Sequence, residues 1–184
     1  PSVQKALSIG KKVVKANTAI TEPQEIEIGN GIAANLLGAA PLVQNDGLQN
    51  YVNRVGMRLA LQTDRPELPW HFGVIDTPNV NAFAVPGGTI LITRGLYEKL
   101  RNESELAGVL AHEISHVLQK HQLKAIRSSL GREWQMELAG AVADQKNNSD
   151  AKNSLKAFTA GTELFARGLD KKDEYEADRM GVVI

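Results

Sequence analysis

Residues 110–117 read LAHEISHV, and this segment carries the strongest structural signal in the chain. It contains an HExxH motif, in which His112 and His116 are four residues apart and Glu113 follows the first histidine. On an α-helix, two residues at this spacing lie on one face, one turn apart. The motif therefore predicts a helix that presents two imidazoles to one metal ion, for which histidine nitrogens are common ligands.

The residues around the motif favour a helix. Apolar residues recur with the helical period over residues 106–118, and Asn102 followed by Glu105 is the pattern of a capping box. We expect this helix to run from Asn102 to about His121. Glu113 falls between the histidines and the apolar stripe, where partial desolvation raises the pKa of a carboxylate and suits it to act as a general base.

Two histidines do not complete a catalytic zinc site, which usually has three protein ligands. His121 is expected about 140° around a continuous helix from His116, so it is interpreted as a core or helix-terminal histidine. The acidic run at residues 173–178 contains Glu174 and Asp178, which share one helix face. One of these carboxylates is expected to bind the metal and the other to accept a hydrogen bond from a ligand histidine. By periodicity alone, a solvated acidic helix face is an equally good interpretation.

Three short β-strands are predicted between two helical regions. Alternating apolar residues predict strands over residues 70–76 and 81–85, and a third over residues 89–93 follows a Pro-Gly-Gly turn signal. His71 lies on the first strand and is kept as an alternative metal ligand. The pattern predicts an α+β fold that is mostly helical, with a small three-stranded sheet and the HExxH helix.

Helices are predicted on both sides of this sheet. Residues 21–23, with proline in the first turn, and Asn45 are helix-start signals. After the HExxH helix, helical patterns cover about residues 123–142, 155–169 and 173–180. The helical regions therefore account for most of the chain.

Composition excludes several classes of protein. The chain of 184 residues has 42% hydrophobic and 23% charged residues, which is typical of a globular protein. It has no cysteine, which excludes disulfides and thiolate metal sites. Its 21 basic and 21 acidic side chains balance, so no net charge favours binding to nucleic acid. No apolar stretch approaches the length of about 18 residues that indicates a membrane-spanning helix.

The first 20 residues are expected to form a basic arm or helix that precedes a metal-binding domain over residues 21–184. Four lysines are interleaved with apolar residues there. A solvated helix face or a loose arm is the favoured interpretation, and a surface that binds a membrane or a partner protein is the alternative. The chain begins at Pro1 rather than Met, which is compatible with the removal of an export signal.

Three motifs together resemble one enzyme family. NAFAVPGG at residues 81–88, LAHEISHV at residues 110–117 and EYEAD at residues 174–178 resemble the gluzincin metallopeptidases of the CAAX-prenyl-protease-like group. The resemblance covers about residues 68–181 and is greatest to soluble bacterial, often periplasmic, members, while mitochondrial relatives share the pattern. It implies a periplasmic or otherwise exported protein that acts on polypeptides, with association to a membrane or to membrane proteins as an option.

The same resemblance implies roles for individual residues. One zinc ion per chain would be held by His112, His116 and Glu174. Glu113 would act as the general base, and Asp178 would support a ligand histidine. The edge of the substrate cleft would be formed by Asn81, Ala82, Phe83 and Ala84.

The expected function is zinc-dependent endopeptidase cleavage of unfolded or misassembled proteins. An alternative is a zinc-stabilised chaperone or assembly module with a latent protease site. Family members usually continue past the second motif, where further residues have roles at the site. We therefore expect the domain that stops at Ile184 to be truncated at its C-terminus.

Overall fold

A computed structural model gives the architecture of this chain and describes residues 20–126, 128 and 177–181. The elements follow the order α1 (Glu22–Ala39), α2 (Asp46–Ala60), β1 (His71–Ile75), β2 (Ala82–Val85), β3 (Thr89–Thr93), α3 (Arg94–Tyr97) and α4 (Glu103–Leu118). Two further helical segments cover residues 121–126 and 177–181. The predicted α+β fold with a three-stranded sheet is confirmed.

Several predictions from the sequence fall outside the described residues. They concern the basic arm, the helix over residues 155–169, most of the helix over residues 123–142, and Glu174. The division into an arm and a domain therefore stays a prediction. None of the described helices is both long and apolar enough to cross a bilayer.

Local capping signals start helices α2 and α4. At the start of α2, Asn45 Oδ1 accepts a hydrogen bond from Leu48 N at 3.0 Å, and at the start of α4, Asn102 Oδ1 accepts one from Glu105 N at 2.9 Å. The Glu105 carboxylate accepts from Arg101 N at 2.8 Å rather than from Asn102 N, so the second half of the predicted capping box is shifted by one residue. The Arg101 side chain and backbone N–H hold the pKa of the Glu105 carboxyl below its usual value.

The sheet has the strand order β1-β3-β2. Strand β1 runs parallel to β3, with His71 opposite Thr89, and β2 runs antiparallel to β3, with Ala82 opposite Ile92. The turn between β2 and β3 contains two glycines with φ of +83° and +105°, a conformation that side chains with a Cβ rarely adopt. The Pro-Gly-Gly signal therefore does form the tight turn that the sequence predicts.

The two faces of the sheet bury different helices, because successive side chains of a strand point to opposite sides. One face packs against α2 and α4 in the main core, which includes Val52, Phe72, Val74, Ala84, Ile90, Ile92, Leu106, Leu110 and Ile114. The other face contributes Phe83 and Val85 to a smaller cluster, with Ile28 and Ile32 of α1 and Leu123 of the segment 121–126. The apolar stripe of α4 thus fixes the HExxH helix against the sheet.

The predicted end of the HExxH helix is wrong. Helix α4 ends at Leu118 rather than near His121, and Lys120 adopts a left-handed conformation with φ of +55°. The helix is interrupted at this residue, and a new helical segment starts at His121. Neither glycine nor proline stands between residues 118 and 121, so the sequence carries no local signal for this break.

Candidate metal centre

Helix α4 brings the two motif histidines together. The Nε2 atoms of His112 and His116 lie 3.0 Å apart, and the ring centroids lie 4.7 Å apart. Two nitrogens that share one tetrahedral zinc at about 2.0–2.1 Å lie roughly 3.3 Å apart, so the donor pair has the spacing that such a metal requires. Imidazole nitrogens are also the right chemical donors for zinc.

The opposite nitrogen of His112 contacts the acidic C-terminal segment. Asp178 Oδ1 lies 2.9 Å from His112 Nδ1. The segment 177–181 packs on α4, since Ala177 is fully buried and a Cβ added at Gly181 would lie 3.2 Å from His112 N. This arrangement suits a carboxylate that orients a ligand imidazole.

The opposite nitrogen of His116 contacts a third histidine. His116 is only 3% exposed, and its Nδ1 lies 2.9 Å from Nδ1 of His121. Burial, together with the neighbouring His112 and His121 rings, lowers the pKa of His116 from 6.5 to about 3. The His116 ring is therefore neutral near pH 7, which is the form that binds metals.

His121 is a further candidate residue of the site. The helical wheel predicted that it lies away from His116, but the structure places the two rings in contact. As expected, His121 is buried, but it is not turned away from His116, because α4 ends before His121 and Lys120 adopts a left-handed conformation between them. A wheel drawn through residue 121 assumes one continuous helix. Only the recurrence of histidine five residues after His116 hints at this contact in the sequence.

The remaining predicted residues of the site are Glu113, His71 and Glu174. Glu113 is half-buried on α4. His71, the alternative ligand, is exposed at the first position of β1. Glu174 lies outside the described residues, so its role as third ligand stays a prediction. Among the residues that the structure describes, no group of three or more His, Cys, Asp or Glu side chains is arranged to hold a metal ion.

The predicted substrate strand β2 is an edge of the sheet. It pairs with β3 on one side, and no described strand pairs with it on the other. Thr93 N donates to Asn81 O at 3.0 Å, which makes Asn81 and Thr93 a hydrogen-bonded pair of the antiparallel ladder. Because such pairs alternate, Ala82 and Ala84 direct their N–H and C=O groups away from β3. Asn81 Oδ1 accepts from Ala82 N at 2.9 Å, on this outward side.

The outer edge of β1, in contrast, is closed by the backbone of residues 41–43 and by side chains of α2. Val43 N donates to Val74 O at 2.9 Å, and Leu42 forms an antiparallel bridge with Ile75. Gln49 accepts from Val74 N through Oε1 and donates to Val74 O through Nε2, both at 2.9 Å. Asn53 Oδ1 accepts from Phe72 N at 3.1 Å. Gln49 and Asn53 thus complete the closure that residues 41–43 begin, a role that their four-residue spacing on a helix allows but does not reveal.

Comparison with known proteins gives consistent matches. A model of peptidase family M48 matches residues 47–184. The chain is 33% identical over 172 residues to the beta-barrel assembly-enhancing protease of Escherichia coli (strain K12), which covers 92% of this chain and 35% of that protein. It is 31% identical over 134 residues to the mitochondrial metalloendopeptidase OMA1 of Schizosaccharomyces pombe, which covers 73% of this chain and 38% of that protein. The chain therefore spans somewhat more than a third of the length of these curated relatives.

Proposed function

Because the chain belongs to peptidase family M48, we propose that it is a zinc metalloendopeptidase whose metal is held by His112, His116 and Glu174. The observation that carries this proposal is the pair of Nε2 atoms that face each other at 3.0 Å on one turn of α4. Each of the two rings also has a partner at Nδ1, which fixes the direction of its Nε2 lone pair. A metallopeptidase family implies a catalytic metal, and the nitrogen donors here favour zinc.

Glu113 performs the proton transfers in the proposed reaction. Zinc, when bound, supplies a Lewis acid that polarises a peptide carbonyl and makes a water molecule more acidic. The Glu113 carboxylate accepts the proton of the attacking water and then delivers it to the leaving amine. Glu113 is half-buried on α4 and follows His112 directly in the chain.

Substrate binds in this proposal as an added strand along β2. The N–H and C=O groups of Ala82 and Ala84 point away from β3. Ala82 is half-buried and can pair with an extended peptide once Asn81 Oδ1 releases its N–H, whereas Ala84 is fully buried, so pairing would start at the Asn81–Ala82 end of the proposed segment from Asn81 to Ala84. Gln49 and Asn53 close the opposite edge of the sheet, which leaves β2 as the edge that a peptide strand can use. Main-chain pairing makes little demand on side chains, so varied sequences can be accepted.

We propose unfolded or misassembled polypeptides as the substrates. One relative is named as a protease that enhances β-barrel assembly, and this name supports substrates that are still being assembled. Edge-strand pairing requires an extended peptide, which a folded protein seldom offers. A periplasmic or otherwise exported location is part of this proposal and is testable by cell fractionation.

The experiment measures zinc content and casein hydrolysis for wild type, Glu113→Gln and His116→Ala. We expect about one zinc per chain in wild type, the same zinc content but a loss of about 10²–10⁴-fold in rate in Glu113→Gln, and little zinc in His116→Ala. Equal zinc content in all three proteins would contradict the metal site. Zinc binding without hydrolysis by wild type would favour the chaperone or assembly module with a latent site.

A further inference from the structure

His121 occupies the position of a partner that orients a metal ligand. It is fully buried, its Nδ1 lies 2.9 Å from His116 Nδ1, and the two rings meet at an interplanar angle of 67°. It therefore contacts the nitrogen of His116 that faces away from His112. In this respect it stands to His116 as Asp178 stands to His112.

The turn at the end of α4 is what brings His121 to this position. Gln119 N bonds to Ser115 O and Lys120 N to Val117 O, which ends the helix, and Lys120 then adopts φ of +55°. Lys124 N bonds to Lys120 O, which starts the next helical segment in a new direction. In a continuous helix, a residue five positions after His116 would lie about 140° around the axis and could not reach its ring.

The first helix of the fold holds this turn in place. Lys120 Nζ lies 3.3 Å from Oε2 of Glu25 on α1, and the Glu25 side chain is only 1% exposed. Arg65 binds the same carboxylate at 2.9 Å and 3.0 Å. Leu123, two residues beyond His121, packs into the small cluster with α1. The backbone of His121 is thus fixed by contacts that do not involve the metal site.

We propose that His121 is a positioning residue that holds the His116 ring by accepting a hydrogen bond from its Nδ1–H. This inference rests on the proposed function, in which His116 binds zinc through Nε2. A neutral imidazole that offers the lone pair of Nε2 carries its single proton on Nδ1, so only an acceptor suits that nitrogen. His121 consequently carries its own proton on Nε2 and presents an unprotonated Nδ1 to His116.

The two ligand histidines therefore have different hydrogen-bond acceptors at Nδ1. His112 has a carboxylate acceptor near the surface, whereas His116 has a neutral imidazole acceptor in a fully buried position. Removal of such a partner typically weakens metal binding by about 10–100-fold. Because His121 does not touch the metal in this arrangement, its effect should appear in metal affinity and not only in the rate of the loaded enzyme.

The test compares His121→Leu with His121→Asn in zinc competition against a chelator. Leucine fills the space without an acceptor, whereas asparagine places Oδ1 close to the position of Nδ1. The proposal predicts that His121→Leu weakens zinc by about 10–100-fold and that His121→Asn recovers most of this loss. A purely packing role predicts the opposite order, because a buried amide destabilises the fold more than a leucine does. Melting temperatures of the metal-free variants report the packing effect separately.

A second measurement uses wild-type protein, so it does not depend on how the variants fold. In zinc-loaded protein labelled with ¹⁵N-histidine, we expect the proton of His116 on Nδ1 and that of His121 on Nε2. A proton on Nδ1 of His121 would overturn this proposal and leave the proposed function intact. The same holds if His116→Ala loses zinc but all His121 variants bind zinc as tightly as wild type. Failure of wild type to bind zinc would overturn it together with the proposed function.

Discussion

Asp178 Oδ1 lies 2.9 Å from Nδ1 of His112, although 66 residues separate the two in the chain. The contact forms because the segment 177–181 packs on α4, with Ala177 fully buried. The acidic C-terminal motif and the HExxH motif therefore meet through tertiary packing. A carboxylate at this nitrogen fixes both the tautomer and the orientation of the ring, which leaves Nε2 directed towards His116.

We expect Asp178→Ala to weaken zinc binding by about 10–100-fold, because His112 then loses the acceptor that orients it. Asp178→Asn, which keeps an oxygen acceptor, should lose less. Chelator competition gives both affinities. Asp76→Ala is the matched control, since Asp76 is also an exposed aspartate but pairs with Arg94 instead of a histidine. Equal affinity for the Asp178 and Asp76 alanine variants would mean that Asp178 is only a surface charge.

The buried carboxylate of Glu25 makes Arg65 important for stability. Arg65→Met leaves this carboxylate, at 1% exposure, with only Lys120 among its described ion-pair partners. We expect the free energy of unfolding to fall by about 3 kcal/mol, measured by urea denaturation. Arg94→Met is the control, because Arg94 pairs with the exposed Asp76 and should lose at most about 1 kcal/mol.

The double variant Glu25→Leu, Arg65→Met separates the cost of the buried charge from the loss of packing. If the buried carboxylate, left with Lys120 alone, causes the loss, the double variant should be more stable than Arg65→Met, because no carboxylate is left buried. A double variant that is no more stable than Arg65→Met would instead assign the loss to the packing of Arg65, which both variants lack.

If substrate pairs along β2, proline at position 82 should impair cleavage without affecting zinc binding. Ala82→Pro removes one outward N–H of β2, so we expect kcat/KM for casein to fall about tenfold or more while zinc content stays unchanged. Ala82→Val keeps the N–H and should cleave normally. Phe83→Pro removes a bond to β3 and should lower the free energy of unfolding by about 3 kcal/mol. Normal cleavage by folded Ala82→Pro would show that substrate does not pair along this edge.

Two glycines of α1 should respond to alanine in opposite directions. A Cβ at Gly29 would lie 1.7 Å from Pro86 O, in the turn between β2 and β3, whereas a Cβ at Gly38 has nothing within 4 Å. We expect Gly29→Ala to lower the free energy of unfolding by about 1–3 kcal/mol, because the hairpin backbone must move. Gly38→Ala should raise it by up to about 1 kcal/mol, because alanine favours the helix. A change of the same sign in both would contradict the close packing of α1 on the hairpin.

Much of the fold could be predicted because its signals are local. Asn45 and Asn102 cap helices with their own side chains, and Gly87 and Gly88 adopt positive φ in the turn after β2. The four-residue spacing of His112 and His116 needs only a helix to bring the two rings together. Each of these features depends on residues within a few positions along the chain, so a single sequence is enough to predict them.

The features that were missed depend on residues far apart in the chain. The end of α4 at Leu118 and the turn at Lys120 have no breaker residue, and they are associated with packing on α1 and with the ion pair to Glu25. The short helix α3 was not predicted either; it starts at Arg94, directly after β3. The strand order β1-β3-β2 has no local signature either, and the edge position of β2 was expected only from the family resemblance.

In the candidate site too, some features follow from local sequence and others from tertiary packing. The HExxH motif specified the chemistry, with two imidazoles and a carboxylate on one helix, because side-chain identity and helical period are properties of the sequence. The partners of those imidazoles depended on the packed structure, which placed Asp178 at His112 and His121 at His116. Hydrogen bonds select one acceptor among several by distances of a few tenths of an ångström. Such distances result from the packing of whole elements against one another, and that packing is not encoded in any short stretch of the chain.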